Sequence, residues 1–227
     1  SYAKIVEGSE ETIPVVSSYY RKEIDAQYVL DIYKTIYPTK LAEISSPVVY
    51  EFTLYYQLVL ECISGTKLID HVRNLRSGAR ARANANVTAD RIYEIMLVGV
   101  LYDICAAVGS LHDKNMLCSD IKPSDFVVDE YGALHFINFD KLIHEGGDPA
   151  NKPVTCEFSS PHSIENDICA TGEVCKAILA LCTFKNKDYL MHAVNSLMCH
   201  ELPSRLGLKA MQTFFAVHCW HIILSGS

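Results

Sequence analysis

Two carboxylates and a lysine fall in one short run, Cys118-Ser119-Asp120-Ile121-Lys122-Pro123-Ser124-Asp125-Phe126, and Asn138-Phe139-Asp140 follows it. An aspartate in such a loop can orient a hydroxyl and take its proton. A second carboxylate can hold a divalent cation through its hard oxygens. Asn138 offers a metal one neutral oxygen and is a poorer anchor. An aspartate can equally serve structure alone, accepting backbone N–H bonds that shape its loop. For Asp120 the second use carries more weight once the rest of the chain is read.

Rigid elements must flank such a run. Thr88 can cap a long helix over about 89–113, with Ile92, Met96, Val100, Ile104, Val108 and Leu111 forming one apolar stripe. Ile95, Leu97, Leu101 and Cys105 broaden the stripe, so the helix should be deeply buried. After the run, Phe126-Val127-Val128 and Leu134-His135-Phe136-Ile137 read as two short strands joined by Asp129-Glu130-Tyr131-Gly132, a hairpin signal. Tyr2 to Val6 reads as a strand. Ser17 to Tyr37 has near-helical apolar spacing, with Ser17 or Ser18 as its cap and Pro38 beyond its end. Val48 to Ile63 is β-branched and aromatic, hence one or two strands. Arg73 to Ala89 is polar, with Gly78 and several arginines, and is expected to be a loop. Helices are expected over roughly 167–183, 188–200 and 207–223, and 144–161 reads as loop.

Composition narrows the function classes. With 227 residues, 49% hydrophobic and 21% charged, the chain has the makings of a real core. Lys and Arg number 20 against 27 Asp and Glu, a formal net charge of −7, which argues against nucleic acid as the main partner. No uninterrupted apolar run approaches the ~18 residues of a spanning helix, so no membrane insertion is expected. Nine cysteines occur without a C-x-x-C pair or a zinc-like spacing, so no structural metal is expected. They are either buried free thiols or disulfides of a secreted chain, and the odd count leaves at least one thiol free or paired with another chain. Asn86-Val87-Thr88 is a glycosylation sequon, which makes Asn86 a candidate acceptor and fits a secretory route.

The run resembles the protein-kinase catalytic loop H-R-D-L-K-P-x-N, and Asn138-Phe139-Asp140 stands where kinases have Asp-Phe-Gly. Leu58 to Gly65 looks like a kinase hinge. Asp167-Ile168-Cys169-Ala170-Thr171-Gly172 resembles the opening D-x-W-x-x-G of the large central helix. Leu202-Pro203-Ser204-Arg205-Leu206 resembles the closing D-P-x-x-R segment. Five segments in the right order imply an α+β, bilobal, kinase-like fold. Its reduced N-terminal lobe would span 1–63 and end in the hinge, and its mainly helical C-terminal lobe would span 64–227.

Phosphoryl transfer needs a backbone cradle, a lysine on the phosphates, metal-holding carboxylates and a base. The cradle is missing, because Gly8 is the sole glycine before Gly65. Lys4 and Glu23 have the spacing of the kinase strand-lysine and helix-glutamate pair, yet Glu23 sits beside Arg21 and Lys22. The metal ligands are exchanged: Asn138 replaces the aspartate and Asp125 replaces the asparagine. Asp120 and Lys122 keep the letters of the base and its lysine, while Cys118 and Ser119 replace the histidine and arginine. In Ser160-Pro161-His162, His162 replaces the glutamate that normally pairs with the arginine matched by Arg205. The expectation is a catalytically inactive pseudokinase without cofactor or metal, acting on unidentified protein partners. The alternative is an atypical kinase that uses Asp120 with the exchanged Asp125/Asn138 pair.

Leu111 through Leu142 and Ala193 through Met211 are similar to the apicomplexan rhoptry-type kinases, several of which are pseudokinases. The shortened N-terminal lobe and the many cysteines resemble a degenerate member of that family, a pseudokinase of the parasite cyst wall. The resemblance implies secretion into the parasitophorous vacuole or cyst wall and a non-catalytic role. Disulfides would then compensate for lost core, typically ~2–4 kcal/mol each. Cys169, Cys175 and Cys182 fall on one expected helix, ~9–10 Å apart and too far to bridge. Each needs a partner elsewhere, such as Cys156; Cys199 with Cys219 is another candidate pair. Trp220 is expected to pack on the last helix, and the tyrosines of the first third serve either core packing or partner contact.

Overall fold

The computed structural model describes residues 2–5, 12–45, 47–118, 120–145, 163–198 and 206–224, of which 2–5, 12, 196–198 and 206 by backbone alone. The chain divides into two units, Ser1–Ser64 with Phe139–Glu157 and Gly65–Asn138 with Phe158–Ser227.

The first unit is built on a five-stranded antiparallel sheet. Its strands are β1 (Tyr2–Ile5), β2 (Thr12–Tyr20), β3 (Ala42–Ile44), β4 (Val48–Tyr50) and β5 (Thr53–Glu61). The main order is β1-β2-β5-β3, and β4 pairs with the start of β5. Register sets Val15 opposite Glu61 and Tyr20 opposite Tyr56. Glu51 and Phe52 take positive φ values of 45° and 64° in the turn between β4 and β5. Helix α1 (Glu23–Ile36) buries Ala26, Val29, Leu30, Ile32 and Tyr33. The helix expected from Ser17 therefore begins later: Ser17 to Tyr20 belong to β2, where they pair with β5, and Lys22 is the uncapped N-cap. Strand pairing over six registered residues outweighs a weak helical period.

The second unit carries β6 (Thr66–Lys67), α2 (Leu68–Arg82), α3 (Ala89–His112), β7 (Met116–Leu117), β8 (Phe126–Val128), β9 (Leu134–Phe136), α4 (Ile164–Ala180), α5 (Lys187–Met198) and α6 (Leu206–Leu224); β10 (Ile143–His144) belongs to the first unit. The polar stretch expected to be a loop is largely α2. Leu68, Val72, Leu75 and Ala79 recur at helical spacing and are all buried, while Arg73, Arg80 and Arg82 face solvent. Cys182 lies just past the end of α4 rather than within it.

Helix α3 matches its expected span. Thr88 accepts a hydrogen bond from the Arg91 backbone N–H through its hydroxyl, and Leu97, Val98, Leu101, Ile104, Cys105 and Val108 are fully buried. It packs on α2, α4 and α6. Each buried leucine or isoleucine contributes about 1.5–3 kcal/mol by leaving water. By length and composition alone α3 is apolar enough to cross a bilayer, contrary to the run-length reading, because scattered charges do not lower its average enough. Half of its most apolar window is buried inside the protein.

The hairpin appears as expected, with β6-β8-β9 forming a three-stranded sheet. Asp129 builds its turn: Oδ1 accepts from Tyr131 N at 2.9 Å and Ala133 N at 2.8 Å, and Gly132 supplies a φ of 86°. His135 Nε2 lies 2.8 Å from Asp129 Oδ2 and holds that carboxyl below its usual range. Gly65 leaves no room for a side chain, since a Cβ there would stand 2.5 Å from the Val128 carbonyl oxygen.

Candidate functional site

In the second unit the loop between β7 and β8 carries Asp120, Lys122 and Asp125. Pro123 starts a single 3₁₀ turn that ends at Asp125. Asp125 is 3% exposed, and its two carboxylate oxygens divide the local work. Oδ2 accepts from Lys122 N at 2.8 Å, closing a capping box, and Oδ1 accepts from Asn138 Nδ2 at 2.9 Å. The hairpin makes the second bond possible. It returns the chain so that Ile137 N donates to the Asp125 carbonyl at 2.8 Å, which sets Asn138 against the carboxylate.

The two residues exchanged between loop and metal position are thus bonded to each other. An asparagine amide donates where a second carboxylate would repel. Lys122 Nζ meets Asp120 Oδ2 at 2.8 Å, with the side chains 57% and 42% exposed. That hydrogen bond and the Asp120 charge hold the Lys122 ammonium above its ordinary value. Charge is balanced locally by this exposed pair.

A buried clasp holds the loop from behind. Asp167, at the first turn of α4, is 1% exposed. Its Oδ2 accepts from Cys118 N at 2.8 Å and lies 2.8 Å from His112 Nε2. So Cys118, which replaces the kinase histidine, is anchored through its backbone. The sequence singles out Asp167 but not His112. It stands four residues past Val108 on the buried stripe of α3, a position that marked it as an inward-facing polar group.

In the first unit Phe139 and Asp140 are held by tyrosines. Phe139 packs edge-on against Tyr33 at 5.0 Å and Tyr37 at 5.9 Å, ring centre to ring centre. The Tyr20 hydroxyl donates to Asp140 Oδ1 at 2.6 Å, so a partnered carboxylate stands where a kinase has glycine. Burial, then the Asp140 hydrogen bond and charge, raise the Tyr20 phenol well above its ordinary value. The Tyr28 hydroxyl donates to the Leu142 carbonyl at 3.2 Å. These tyrosines do internal work, while Tyr19 and Tyr50 stay exposed at 56% and 64%.

The remaining predicted residues fall apart. Lys4 sits on β1 opposite Ile13, its side chain outside the described residues, and Glu23 is exposed at the start of α1. Asn86 is exposed between α2 and α3, its N–H donating to Asn84 Oδ1. Cys156, His162, Cys199 and Arg205 lie outside the described residues. The seven described cysteines, among them Cys169, Cys175, Cys182 and Cys219, are unbridged. Trp220 is 63% exposed on α6. A cavity of about 700 Å³ in the second unit is lined by Arg76, Arg91, Glu94, Lys185 and Asn186, and by none of the loop residues.

These elements define a kinase-like fold, with one strand-built unit and one helical unit, the second carrying the altered loop. Among solved structures the chain is similar to the kinase domain of a Toxoplasma gondii specific rhoptry antigen, with a TM-score of 0.59 and 12% identity, covering 91% of this chain and 76% of that one. At that identity the likeness shows the fold. No family model matches the chain, and no curated protein matches it.

Proposed function

We propose that the chain is a catalytically inactive pseudokinase, a degenerate relative of the rhoptry-type kinases that acts as a secreted protein-interaction or scaffold module. The bond between Asn138 and Asp125 carries this reading. A metal-dependent phosphotransferase needs carboxylates turned toward magnesium and the nucleotide phosphates. Here the exchanged carboxylate is 3% exposed, and each of its oxygens already accepts a hydrogen bond. Opening it to a cation would break bonds to Asn138 and the Lys122 backbone, each a charge-assisted bond of about 1.5–3 kcal/mol.

The absence of a glycine cradle in the sequence adds to this, as does an aspartate at 140 in place of the glycine of Asp-Phe-Gly. Asp120 and Lys122 keep their letters but pair with each other. The interaction role is supported by the β4–β5 hairpin. Val49 is 69% exposed, Tyr50 64% and Phe52 wholly exposed at its tip. Apolar and aromatic groups clustered on a protruding turn suit a protein surface. Secretion to a parasitophorous vacuole or cyst wall remains part of the proposal through the family resemblance.

Radiolabelled phosphate transfer tests the reading. With ATP and magnesium or manganese, no label should reach the chain itself or a generic protein substrate. Transfer that Asp120→Asn abolishes would instead establish the atypical kinase.

A further inference from the structure

The 700 Å³ cavity of the second unit collects cations that the altered loop does not use. Its walls come from α2, the start of α3, the segment joining α4 to α5, and the end of α6. Arg76, Arg91 and Lys185 line it. The two guanidiniums are held in place. Arg76 donates to the Thr183 carbonyl and lies over the Tyr93 ring at 4.7 Å, and Arg91 donates to the Ile223 carbonyl. Each fork has more N–H donors than these bonds use. Among the described residues, none of the three cations forms an ion pair. The carboxylates of the wall are placed otherwise. Glu94 is buried, and its Oε1 accepts from Asn186 Nδ2 at 2.8 Å and lies 3.2 Å from His218 Nε2, whereas Asp90 is exposed.

A second recess, of about 390 Å³, adjoins the first, for Asn186 and His221 line both. Its wall is aromatic and apolar. The Phe214 ring stacks on His218 at 6.2 Å, centre to centre, and Tyr189 tilts against Phe214 at 5.8 Å and His218 at 5.6 Å. Val217 lines the same recess and is exposed. Both volumes lie in the range of about 300–1,000 Å³ typical of ligand sites.

We propose that the joined recesses bind a short peptide segment of a partner protein, with an oxyanionic side chain in the basic cavity and an aromatic side chain in the adjoining recess. Planar guanidiniums match the oxygens of a carboxylate or a phosphate in paired bonds. With His221 neutral, three cations against two carboxylates leave the wall one positive charge, which suits a single oxyanion and not a polyanion. Exposed Asp90 can accept a peptide N–H, a donor that a free inorganic anion lacks. The assignment rests on the protein-interaction reading and gives its partner a chemistry. It places that contact on the second unit, whereas the β4–β5 hairpin belongs to the first.

The test is calorimetric titration of the full chain with terminally blocked glycine–serine peptides. Each carries one glutamate and one tyrosine, set at every spacing from adjacent to about a helical turn apart, in either order. At least one should bind at about 1 mM or tighter. Exchanging its glutamate for glutamine, or its tyrosine for serine, should weaken binding by about tenfold. In the protein, Lys185→Glu should weaken it by at least about tenfold, since a like charge then faces the oxyanion. Val217→Asp should do the same at the aromatic end. Lys185 and Val217 are exposed, so both variants should melt with the parent chain. A companion peptide with phosphoserine in place of glutamate names the oxyanion, and binding by either peptide supports the site. Phe52→Asp should leave the affinity unchanged. A loss in Phe52→Asp, unchanged affinity in Lys185→Glu, binding of inorganic phosphate alone, or no binding by any peptide would overturn the assignment. Such a failure leaves the non-catalytic reading standing, because label transfer and nucleotide binding decide that separately.

Discussion

Asn138 donates its amide to Asp125 at 2.9 Å, so two residues that would flank a metal in a phosphotransferase are instead partners in one hydrogen bond. The bond exists because each position holds the other's usual residue type. Restoring only the aspartate at 138 sets two carboxylates face to face. Asn138→Asp should therefore destabilise the fold by about 1–3 kcal/mol near neutral pH. The loss should shrink in acid, where the pair can share a proton. Asp125→Asn together with Asn138→Asp should recover part of the stability, because one acceptor and one donor face each other again. Denaturant melts of the four variants form a double-mutant cycle, and strict additivity would contradict the pairing.

The Asp167 clasp should matter more. Its carboxylate is buried and serves both the Cys118 N–H and His112. Asp167→Ala leaves a buried backbone donor and an imidazole unpartnered, an expected loss of about 3–5 kcal/mol. A change under 1 kcal/mol by urea unfolding would show that the clasp is ornamental.

Tyr20 and Asp140 lie 120 positions apart and meet through one hydrogen bond. Asp140 is exposed, so Tyr20→Phe should cost only about 1 kcal/mol. The pH dependence has a defined sign. Burial raises Tyr37 and Tyr93 to about 12 each, above the unfolded value near 10. The folded state thus holds these protons longer than the unfolded state. Stability should be full below pH 10 and fall as the pH rises from about 10 to 12. Melting midpoints across that range check it, and a flat profile would contradict the burial.

Glu61 supplies the acid-side counterpart. Burial pushes its carboxyl up, but the Lys40 ammonium at 2.6 Å and the Leu41 N–H at 3.0 Å outweigh it and hold the group below its ordinary value. Its contribution is present above the unfolded value near 4.5 and lost as the pH falls through the lower folded value. Lys40→Met should cost about 0.5–1 kcal/mol at pH 7, a loss that shrinks as falling pH protonates Glu61, read as melts at stepped pH from 7 downward.

How far the sequence reached follows from the range of each interaction. The Thr88 cap, the α3 stripe and the Asp129–Gly132 turn are local, and all three were legible. The α2 stripe was equally local but was hidden by Gly78 and its arginines, whose polarity spoke louder than four spaced apolar residues. The start of α1 was misplaced because Ser17 to Tyr20 are claimed by β5, a distant partner. The exchange of Asp125 and Asn138 could be read as letters, yet their bond depends on the hairpin folding back. The tyrosine contacts to Phe139 and Asp140 had no local signature at all.

The exposed hairpin gives a prediction on the interaction role. Phe52 is wholly exposed and touches no core, so Phe52→Asp should leave stability within about 0.5 kcal/mol. It should lower self-association or partner binding through that turn, measured by sedimentation and by binding of a hydrophobic dye. Unchanged dye binding would point to another surface.

Nucleotide-dependent thermal shift tests the central claim most directly. The chain is melted alone and with ATP plus magnesium or manganese at millimolar concentration. Binding at a hundredfold excess over Kd would add about 2.7 kcal/mol and raise the midpoint visibly. No shift is predicted with either metal. A clear metal-dependent rise, lost in Asp125→Ala, would mean that the loop opens to hold a nucleotide, and the non-catalytic reading would fail.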